Sequence, residues 1–346
     1  MGPHLNLVFL GCGAITAVHG RTLAALGEDV RCYYASRDQE KAMAFERRLH
    51  GSGSFGSYAA ALADGRMDVA FVATPPATHL ELVLEALAQG KDVIVEKPAF
   101  PRVADYEMAL HAQARSGRLV LVAENYCYKP LARVLQGLLG SRAVGATLFV
   151  QVNALKQQAT RGWRDDPAMA GGGALLEGGI HWVDLMAHLG PAVRGVSGHR
   201  ALPCAGPERS MLVVFDYADG SIGTLLHSWE APSPLHGLQL SRIRGREGSI
   251  LFESNGLFVL VRGRERRILI PSLRDLGGHR AMFRDFVRAL RRERAPVMTL
   301  ERAREDASIV ESACGGGEHE PLYCRARGVA GRGAHVDLGD VQGQPA

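Results

Sequence analysis

Lys97, Glu177 and His181 are the side chains whose types and positions best fit acid–base chemistry. Lys97 follows an apolar run that predicts a buried strand, and doubly wound folds bind ligands at the carboxyl ends of such strands. An imidazole such as that of His181 exchanges protons with hydroxyl groups near neutral pH. Glu177 precedes His181 by four residues, so both share one face if the segment is helical. We predict His181 as acid or base, Lys97 as its electrostatic partner, and Glu177 as the group that positions one of them or holds a neighbouring hydroxyl.

Lys97 and His181 also have a purely structural interpretation. Lys97 could reach solvent beside Glu96, and His181 could be a helix residue whose ring is satisfied by Glu177. The glycines at 171–173 favour the functional interpretation, because glycine lets the backbone approach a ligand closely. The histidines show no H-E-x-x-H or comparable ligand spacing, so the sequence implies no metal.

A glycine turn lies between the first predicted strand, Leu5–Leu10, and a helical pattern at Ile15–Leu26. In dinucleotide-binding folds, the backbone N–H groups of such a turn and of the following helix bind the pyrophosphate. Thr16 replaces the third small residue of G-x-G-x-x-G, so the surrounding strand–helix units carry most of the prediction. The residues expected at the pyrophosphate are Gly11, Gly13, Ala14 and Ile15.

The end of the second predicted strand, Val30–Ala35, bears on which coenzyme binds. NAD enzymes usually place an acidic residue there to accept hydrogen bonds from the ribose hydroxyls. Here Ser36 and Arg37 follow the strand, and a hydroxyl with a guanidinium can hold a 2′-phosphate. Asp38 is the counter-evidence, although we expect it to cap the next helix. The sequence therefore favours NADP(H), with NAD(H) as the alternative.

The order of predicted elements divides the chain into two domains and a tail. Five strand–helix units in residues 1–124 predict an α/β doubly wound parallel sheet, which is a Rossmann dinucleotide-binding domain. Consecutive strand patterns in residues 125–313 predict an α+β domain with a large, mainly antiparallel open sheet. Residues 314–346 lack periodicity and are rich in Gly and Arg, so we expect a disordered tail, with a shifted reading frame as the alternative.

Composition and charge exclude several classes of protein. The chain has 346 residues, of which 47% are apolar and 22% charged, and its net charge is only +4, which is typical of a soluble two-domain enzyme. The basic clusters at 262–267 and 288–294 contain acids and lack aromatic residues, which favours solvated surfaces over a nucleic-acid site. Six scattered cysteines without a C-x-x-C pair fit a reducing compartment. We expect a cytoplasmic protein with no membrane or nucleic-acid partner.

Residues 5–313 resemble the glucose-fructose oxidoreductase / inositol dehydrogenase / rhizopine catabolism (Gfo/Idh/MocA) family. The family's motifs appear in order as Gly11-x-Gly13 with His19, Ala73-Thr74-Pro75 with His79, Glu96-Lys97-Pro98, and the run from Gly171 to His181. The chain departs from the family at Glu177, where Asp is usual, and after Ala313, where the usual ending is missing.

The resemblance extends the set of expected site residues and implies a cis Lys97-Pro98 peptide. Further residues expected at the coenzyme are Thr74, Pro75, His79, Glu96 and Lys97. Residues expected to line the substrate crevice are Asn125, Tyr126, Lys129, Trp163 and Arg164, although Trp163 could equally be a packing residue.

The predicted function is an NADP(H)-dependent oxidoreductase that interconverts a secondary hydroxyl and a ketone on a sugar, sugar derivative or cyclitol. The resemblance also implies a homo-oligomer that associates through the open sheet. Two alternatives stay open, namely NAD-assisted glycoside hydrolysis and a non-catalytic dinucleotide-binding regulator. Lys97 and His181 argue against the regulator, because a protein without a reaction needs neither group.

Overall fold

The first sheet of this computed structural model consists of six parallel strands; the structure describes residues 4–27, 29–202, 206–233 and 237–315. The strands are β1 (Leu5–Leu10), β2 (Val30–Ala35), β3 (Gly53–Phe55), β4 (Val69–Val72), β5 (Asp92–Glu96) and β6 (Val120–Ala123). The helices between them are α1 (Ala14–Ala24), α2 (Gln39–Leu49), α3 (Tyr58–Ala63), α4 (His79–Ala88) and α5 (Val103–Ser116). The spatial order is β3-β2-β1-β4-β5-β6, so the strand order reverses between β1 and β4, where such folds open a ligand crevice.

The second sheet has eight strands and forms after helix α6 (Pro130–Gly140). Its strands are β7 (Thr147–Leu155), β8 (Val193–Arg200), β9 (Ser210–Tyr217), β10 (Ile222–Ser228), β11 (Leu240–Gly245), β12 (Gly248–Glu253), β13 (Val259–Arg262) and β14 (Arg266–Leu269). The remaining helices are α7 (Pro167–Ala170), α8 (Ile180–Ala187), α9 (His279–Leu290) and α10 (Leu300–Gly315). The spatial order is β14-β13-β12-β11-β7-β10-β9-β8, and all neighbours are antiparallel except β7 and β10.

The eight-stranded sheet buries one face and leaves the other open. Residues of β9 alternate between buried and partly buried positions, as expected for a strand with one covered face. The covered face packs against α6, α8 and α10 in a single apolar core. The open face exposes large apolar side chains, including Phe149, Ile222 and Leu226.

The predicted fold class is confirmed, and the predicted elements Leu5–Leu10, Ile15–Leu26 and Val30–Ala35 begin and end within two residues of the observed β1, α1 and β2. Two strands were not predicted. β3 has only three residues, and β8 lies at the sheet edge with a sequence, VRGVSGHR, that lacks an apolar run. The Lys97-Pro98 peptide is cis, as the resemblance implies. The expected tail lies outside the described residues, apart from Cys314 and Gly315, which continue α10.

The C-terminal helices return to the first domain. α9 and the start of α10 pack in the core of the six-stranded sheet, where the rings of Phe71 and Phe283 lie 6.2 Å apart. The predicted domain boundary at residue 124 stays a prediction. Helices α9 and α10, which follow this boundary by more than 150 residues, supply part of the core of the first sheet. Within the described ranges, no helix is both long and apolar enough to cross a membrane.

A buried polar cluster fixes α8 to α10. Arg302 Nε donates to Asp184 Oδ1 at 2.7 Å, and His188 Nε2 lies 3.2 Å from Asp306 Oδ1. Burial raises the pKa of Asp184 to about 6, and burial with the neighbouring Asp184 carboxylate raises the pKa of Asp306 well above its ordinary value. Asp184, His188 and Asp306 bring three potential metal-ligand atoms within 4.8 Å of one another, but the Arg302 guanidinium already supplies positive charge there.

We expect Asp306→Asn to reduce the pH dependence of stability. The raised pKa means that folding takes up a proton at Asp306, so wild-type stability falls as pH rises from the unfolded pKa toward the folded one. Asparagine does not titrate, so the variant should lose less Tm between pH 4.5 and 7.5 and should melt no earlier than wild type at pH 7.5. Thermal unfolding measures this, with exposed Glu305→Gln as control. A large drop in Tm at pH 7.5 for Asp306→Asn alone would show that the charged carboxylate is needed.

Candidate active site

A cavity of about 440 Å³ opens at the carboxyl ends of the parallel strands. Gly11 has φ +111°, and a Cβ atom there would lie 2.7 Å from the carbonyl oxygen of Ala73, so the turn requires glycine. Gly13 has no heavy atom within 4 Å of its Cβ position and precedes α1, whose N-terminus has no side-chain cap. The first N–H groups of α1 are therefore free to bind a pyrophosphate, and Ala14 and Ile15 line the cavity.

The end of the cavity beside β2 carries positive charge. Ser36, Arg37 and Lys41 line it, together with Tyr58. The Asp38 carboxylate accepts a hydrogen bond from the backbone N–H of Lys41 at 3.1 Å and caps α2, as predicted. Burial raises the pKa of the Tyr58 hydroxyl, although Arg37 opposes the shift. This end of the cavity therefore carries two positive side chains and two hydroxyl groups.

Two buried side chains, His79 and Glu96, line the cavity near the turn after β4. The His79 ring lies between backbone carbonyls, with Nδ1 2.9 Å from the oxygen of Ala99 and Nε2 2.7 Å from the oxygen of Thr74. Thr74, Pro75, His79 and Glu96 all line the cavity. The Glu96 carboxylate bonds to His19 Nε2. Burial acts to raise the pKa of Glu96, but His19, Lys97 and His79 together lower it. The Glu96 carboxylate is thus used in the hydrogen bond to His19.

Lys97 and Glu177 form the wall between this cavity and a second one, since both line the two cavities. Lys97 Nζ donates to the backbone carbonyl oxygen of Glu177 at 2.6 Å. The Glu177 carboxylate accepts a hydrogen bond from Arg164 Nε at 2.8 Å, and the Arg164 guanidinium lies 4.4 Å from the centroid of the Trp163 ring. Trp163 and Arg164 line the coenzyme cavity, so the short loop Gly162–Asp165 is held over its mouth.

The second cavity has a volume of about 410 Å³ and lies against the eight-stranded sheet. Aromatic rings and amides make up much of its wall, as suits a ligand with both apolar faces and hydroxyl groups. Besides Lys97 and Glu177, its polar and aromatic lining includes Tyr126, Lys156, Gln158, His181, Trp182, His227, Trp229, Gln239 and Asn255.

His181 is held by a buried carboxylate that the sequence analysis missed. Its Nδ1 lies 2.6 and 2.7 Å from the two carboxylate oxygens of Glu124, and its ring stacks on Tyr126 at 4.2 Å between centroids. Burial lowers the pKa of His181, while Glu124 opposes the shift; burial would raise the pKa of Glu124, but His181 lowers it. With Nδ1–H donated to Glu124, Nε2 is the nitrogen left to exchange a proton in the cavity.

The helix start before His181 differs from the simple prediction. Residues Leu175–Gly179 form a wider π-helical turn before α8 begins. Glu177 and His181 still line the same cavity, as their spacing predicted.

Asn125 and Lys129 do not line either cavity. Asn125 Nδ2 donates to the backbone oxygen of Gly277 at 2.6 Å, so its amide joins two loops. Lys129 Nζ lies 3.9 Å from the centroid of the Tyr126 ring, and burial lowers its pKa to about 8 despite nearby carboxylates. Lys129 thus lies against the Tyr126 ring, while Asn125 bonds to a different loop, and of the three residues only Tyr126 lines the cavity.

Sequence reasoning also missed His227 and Trp229, which lie at the end of β10. Their position depends on the pairing of β10 with β7, which no local pattern reveals. Glu124 had a usable signal, since it follows a fully buried strand as Glu96 does.

The Rossmann sheet, the glycine turn and an adjoining cavity with lysine and histidine define a dinucleotide-dependent oxidoreductase. Residues 5–124 match the oxidoreductase family with NAD-binding Rossmann fold, and residues 132–251 match the GFO/IDH/MocA C-terminal domain. The chain belongs to the Gfo/Idh/MocA family of oxidoreductases.

Known relatives are similar over part of the chain. Oxidoreductase P35 of Formosa agariphila is 27% identical over 197 residues, covering 54% of this chain and 61% of the relative. Trans-1,2-dihydrobenzene-1,2-diol dehydrogenase of Xenopus tropicalis is 27% identical over 243 residues, covering 68% and 72%. A levoglucosan dehydrogenase solved with NADH and levoglucosan shares the fold, with a TM-score of 0.81, 21% identity, and coverage of 91% of this chain and 98% of that one.

We expect Glu124→Gln to lower the pKa of His181 further. Glu124 is the group that raises this pKa against burial, and an amide removes its charge. The shift should be at least about one pH unit. NMR titration of the His181 ring in both proteins measures it, with exposed Glu81→Gln as control. An unchanged or higher His181 pKa would contradict the assigned pairing.

Proposed function

We propose that the protein is an NADP(H)-dependent oxidoreductase that interconverts a secondary hydroxyl and a ketone on a sugar, sugar derivative or cyclitol. One observation carries the proposal: Lys97 lines both the dinucleotide cavity and the cavity that contains His181. A substrate in the second cavity therefore lies beside the coenzyme and within reach of both groups.

In the oxidative direction, His181 Nε2 removes the hydroxyl proton while Glu124 holds Nδ1–H and stabilises the imidazolium. The nicotinamide, when bound, supplies the hydride acceptor or donor. The Lys97 ammonium stabilises the negative charge that develops on the substrate oxygen. One of its three N–H groups is engaged by the Glu177 carbonyl, which leaves two for the substrate.

The preference for NADP(H) is supported by the chemistry beside β2. Arg37 and Lys41 are both exposed there, and the nearest carboxylate, Asp38, is used as a helix cap. A guanidinium binds a phosphate bidentately and stays charged at every working pH. Gly11, Gly13, Ala14, Ile15, Ser36, Thr74 and Pro75 would complete the coenzyme site.

The proposed substrate class follows from the lining of the second cavity. The rings of Tyr126, Trp182 and Trp229 line it, and so do the amides of Gln239 and Asn255, whose nitrogens donate to backbone oxygens. The names of the relatives, a diol dehydrogenase and a levoglucosan dehydrogenase, support a ligand with several hydroxyl groups.

A cytoplasmic homo-oligomer is part of the same proposal. Among the described cysteines, Cys12, Cys32, Cys127 and Cys314 are free thiols, which suits a reducing compartment. The exposed Phe149, Ile222 and Leu226 on the open sheet face favour association through that face.

NADP(H) should bind at least about tenfold more tightly than NAD(H), a ratio that one charge-assisted phosphate contact can supply. Arg37→Ala should remove most of this preference and leave NAD(H) affinity nearly unchanged, because Arg37 faces only the extra phosphate. Fluorescence titration with each coenzyme measures the ratio, with exposed Arg47→Ala on α2 as the matched control. Tighter binding of NAD(H) by the unmodified protein would refute the preference.

His181→Ala and Lys97→Ala should each lower kcat by about 10²–10⁴ with coenzyme binding intact, because each removes a group acting on the reacting oxygen. Glu177→Asp should cost far less than Glu177→Ala, since it keeps a carboxylate near Arg164. Net NADPH formation from a panel of sugars and cyclitols is the assay, and it separates this reaction from redox-assisted hydrolysis. Near-normal kcat in both alanine variants would overturn the catalytic assignment and favour the regulator.

A further inference from the structure

Two ring nitrogens in the second cavity have no role in the proton transfer proposed above. His227 and Trp229 line this cavity and are only 4% and 8% exposed. Neither His227 Nε2 nor Trp229 Nε1 bonds to another residue in the described part of the chain, and neither atom is sealed from the cavity. Buried nitrogen groups in proteins nearly always have a hydrogen-bond partner. A bound ligand could supply the partner that these two nitrogens lack.

Gly178 keeps both ring edges open. A Cβ atom at this position would lie 3.1 Å from Trp229 Nε1 and 3.4 Å from His227 Nε2. Both nitrogens therefore lie on the same side of the backbone, close to one point that any side chain at 178 would cover. Gly178 also lines the cavity, three residues before His181.

The protonation of His227 makes it a donor. Burial lowers its pKa to about 4, and His181 and Lys97 also act to lower it, while Glu177 opposes them, so the ring is neutral at neutral pH. Its Nδ1 is buried without a partner among the described residues, packed beside Gly179. A proton on Nδ1 would leave a buried donor unpaired, whereas a proton on Nε2 faces the cavity.

We propose that His227 Nε2–H and Trp229 Nε1–H form a two-donor site for a second substrate oxygen, distinct from the oxygen that exchanges its proton with His181. The inference rests on the proposed function and narrows its substrate class. Two donors without an adjacent acceptor select an oxygen with two free lone pairs. The protein therefore takes vicinal diols, and the oxygen of the second hydroxyl fixes which carbon faces the coenzyme.

The first test measures the tautomer of His227 and needs no substrate. NMR of the NADP-loaded full-length protein with ¹⁵N-labelled histidine, assigned by comparison with His227→Gln, should give an unprotonated Nδ1 and a protonated Nε2 down to pH 5. A proton on Nδ1 overturns the proposal.

The second test compares the binding of trans-1,2-cyclohexanediol and cyclohexanol, which differ by one hydroxyl, to the NADP-loaded protein. The diol should bind more tightly, and Trp229→Phe and His227→Leu should each weaken diol binding about tenfold with little effect on cyclohexanol. His227→Gln, whose amide can reach the position of Nε2, should recover part of the loss. Gly178→Ala should also weaken the diol, and exposed His111→Asn serves as the control.

The outcomes separate this inference from the proposed function. If the diol shows the expected pattern but no sugar or diol reduces NADP⁺, the two-donor site stands and the proposed reaction fails. If NADPH forms but the variants bind diol like wild type, or both probes bind alike, the two-donor site is wrong. If neither probe binds measurably, the tautomer of His227 decides.

Discussion

The hydrogen bond from Lys97 Nζ to the backbone carbonyl of Glu177 joins the two halves of the site. Lys97 extends from the end of β5, and Glu177 belongs to the turn that begins α8. Each residue lines both cavities, so this contact holds the wall between the two cavities in place. Because the acceptor is a main-chain oxygen, the contact fixes the backbone of the turn and leaves the Glu177 carboxylate for Arg164.

A buried carboxylate lies at the end of each of two neighbouring strands, β5 and β6, and each carboxylate bonds to a histidine ring. Glu96 follows the apolar part of β5 and pairs with His19, while Glu124 follows β6 and pairs with His181. A desolvated carboxylate is costly without a partner, and an imidazole supplies one without bringing a permanent charge. The two pairs differ in exposure, since the His19 ring is enclosed by Phe71 and other aromatic rings whereas His181 faces a cavity. The Glu96–His19 pair is therefore enclosed in the core, whereas the Glu124–His181 pair can contact a ligand in the cavity.

Local sequence patterns predicted most of the fold, because strands, turns and helix caps depend mainly on residues that are close together in the chain. The buried parallel strands read as apolar runs, and the glycine turn and the cap at Asp38 each depend on a few adjacent positions. The site was predicted less completely. Lys97, Glu177 and His181 carried local signals, and so did Glu124 directly after β6, but His227 and Trp229 reach the site through strand pairing. Asn125 and Lys129 were expected in the substrate crevice, but only their neighbour Tyr126 lines the cavity. In the loop after β6 the direction of the side chain changes from one residue to the next, and the sequence does not show this.

The packing of α9 and α10 on the first sheet has a consequence for how the chain folds during synthesis. Met282, Phe283, Phe286, Met298 and Leu300 belong to the same apolar core as β1 and β4, more than 200 residues earlier in the chain. A ribosome-bound chain ending near residue 124 would expose the surface that these side chains cover. The coenzyme domain thus completes this core only when α9 and α10 emerge, and both domains are expected to unfold together rather than one after the other.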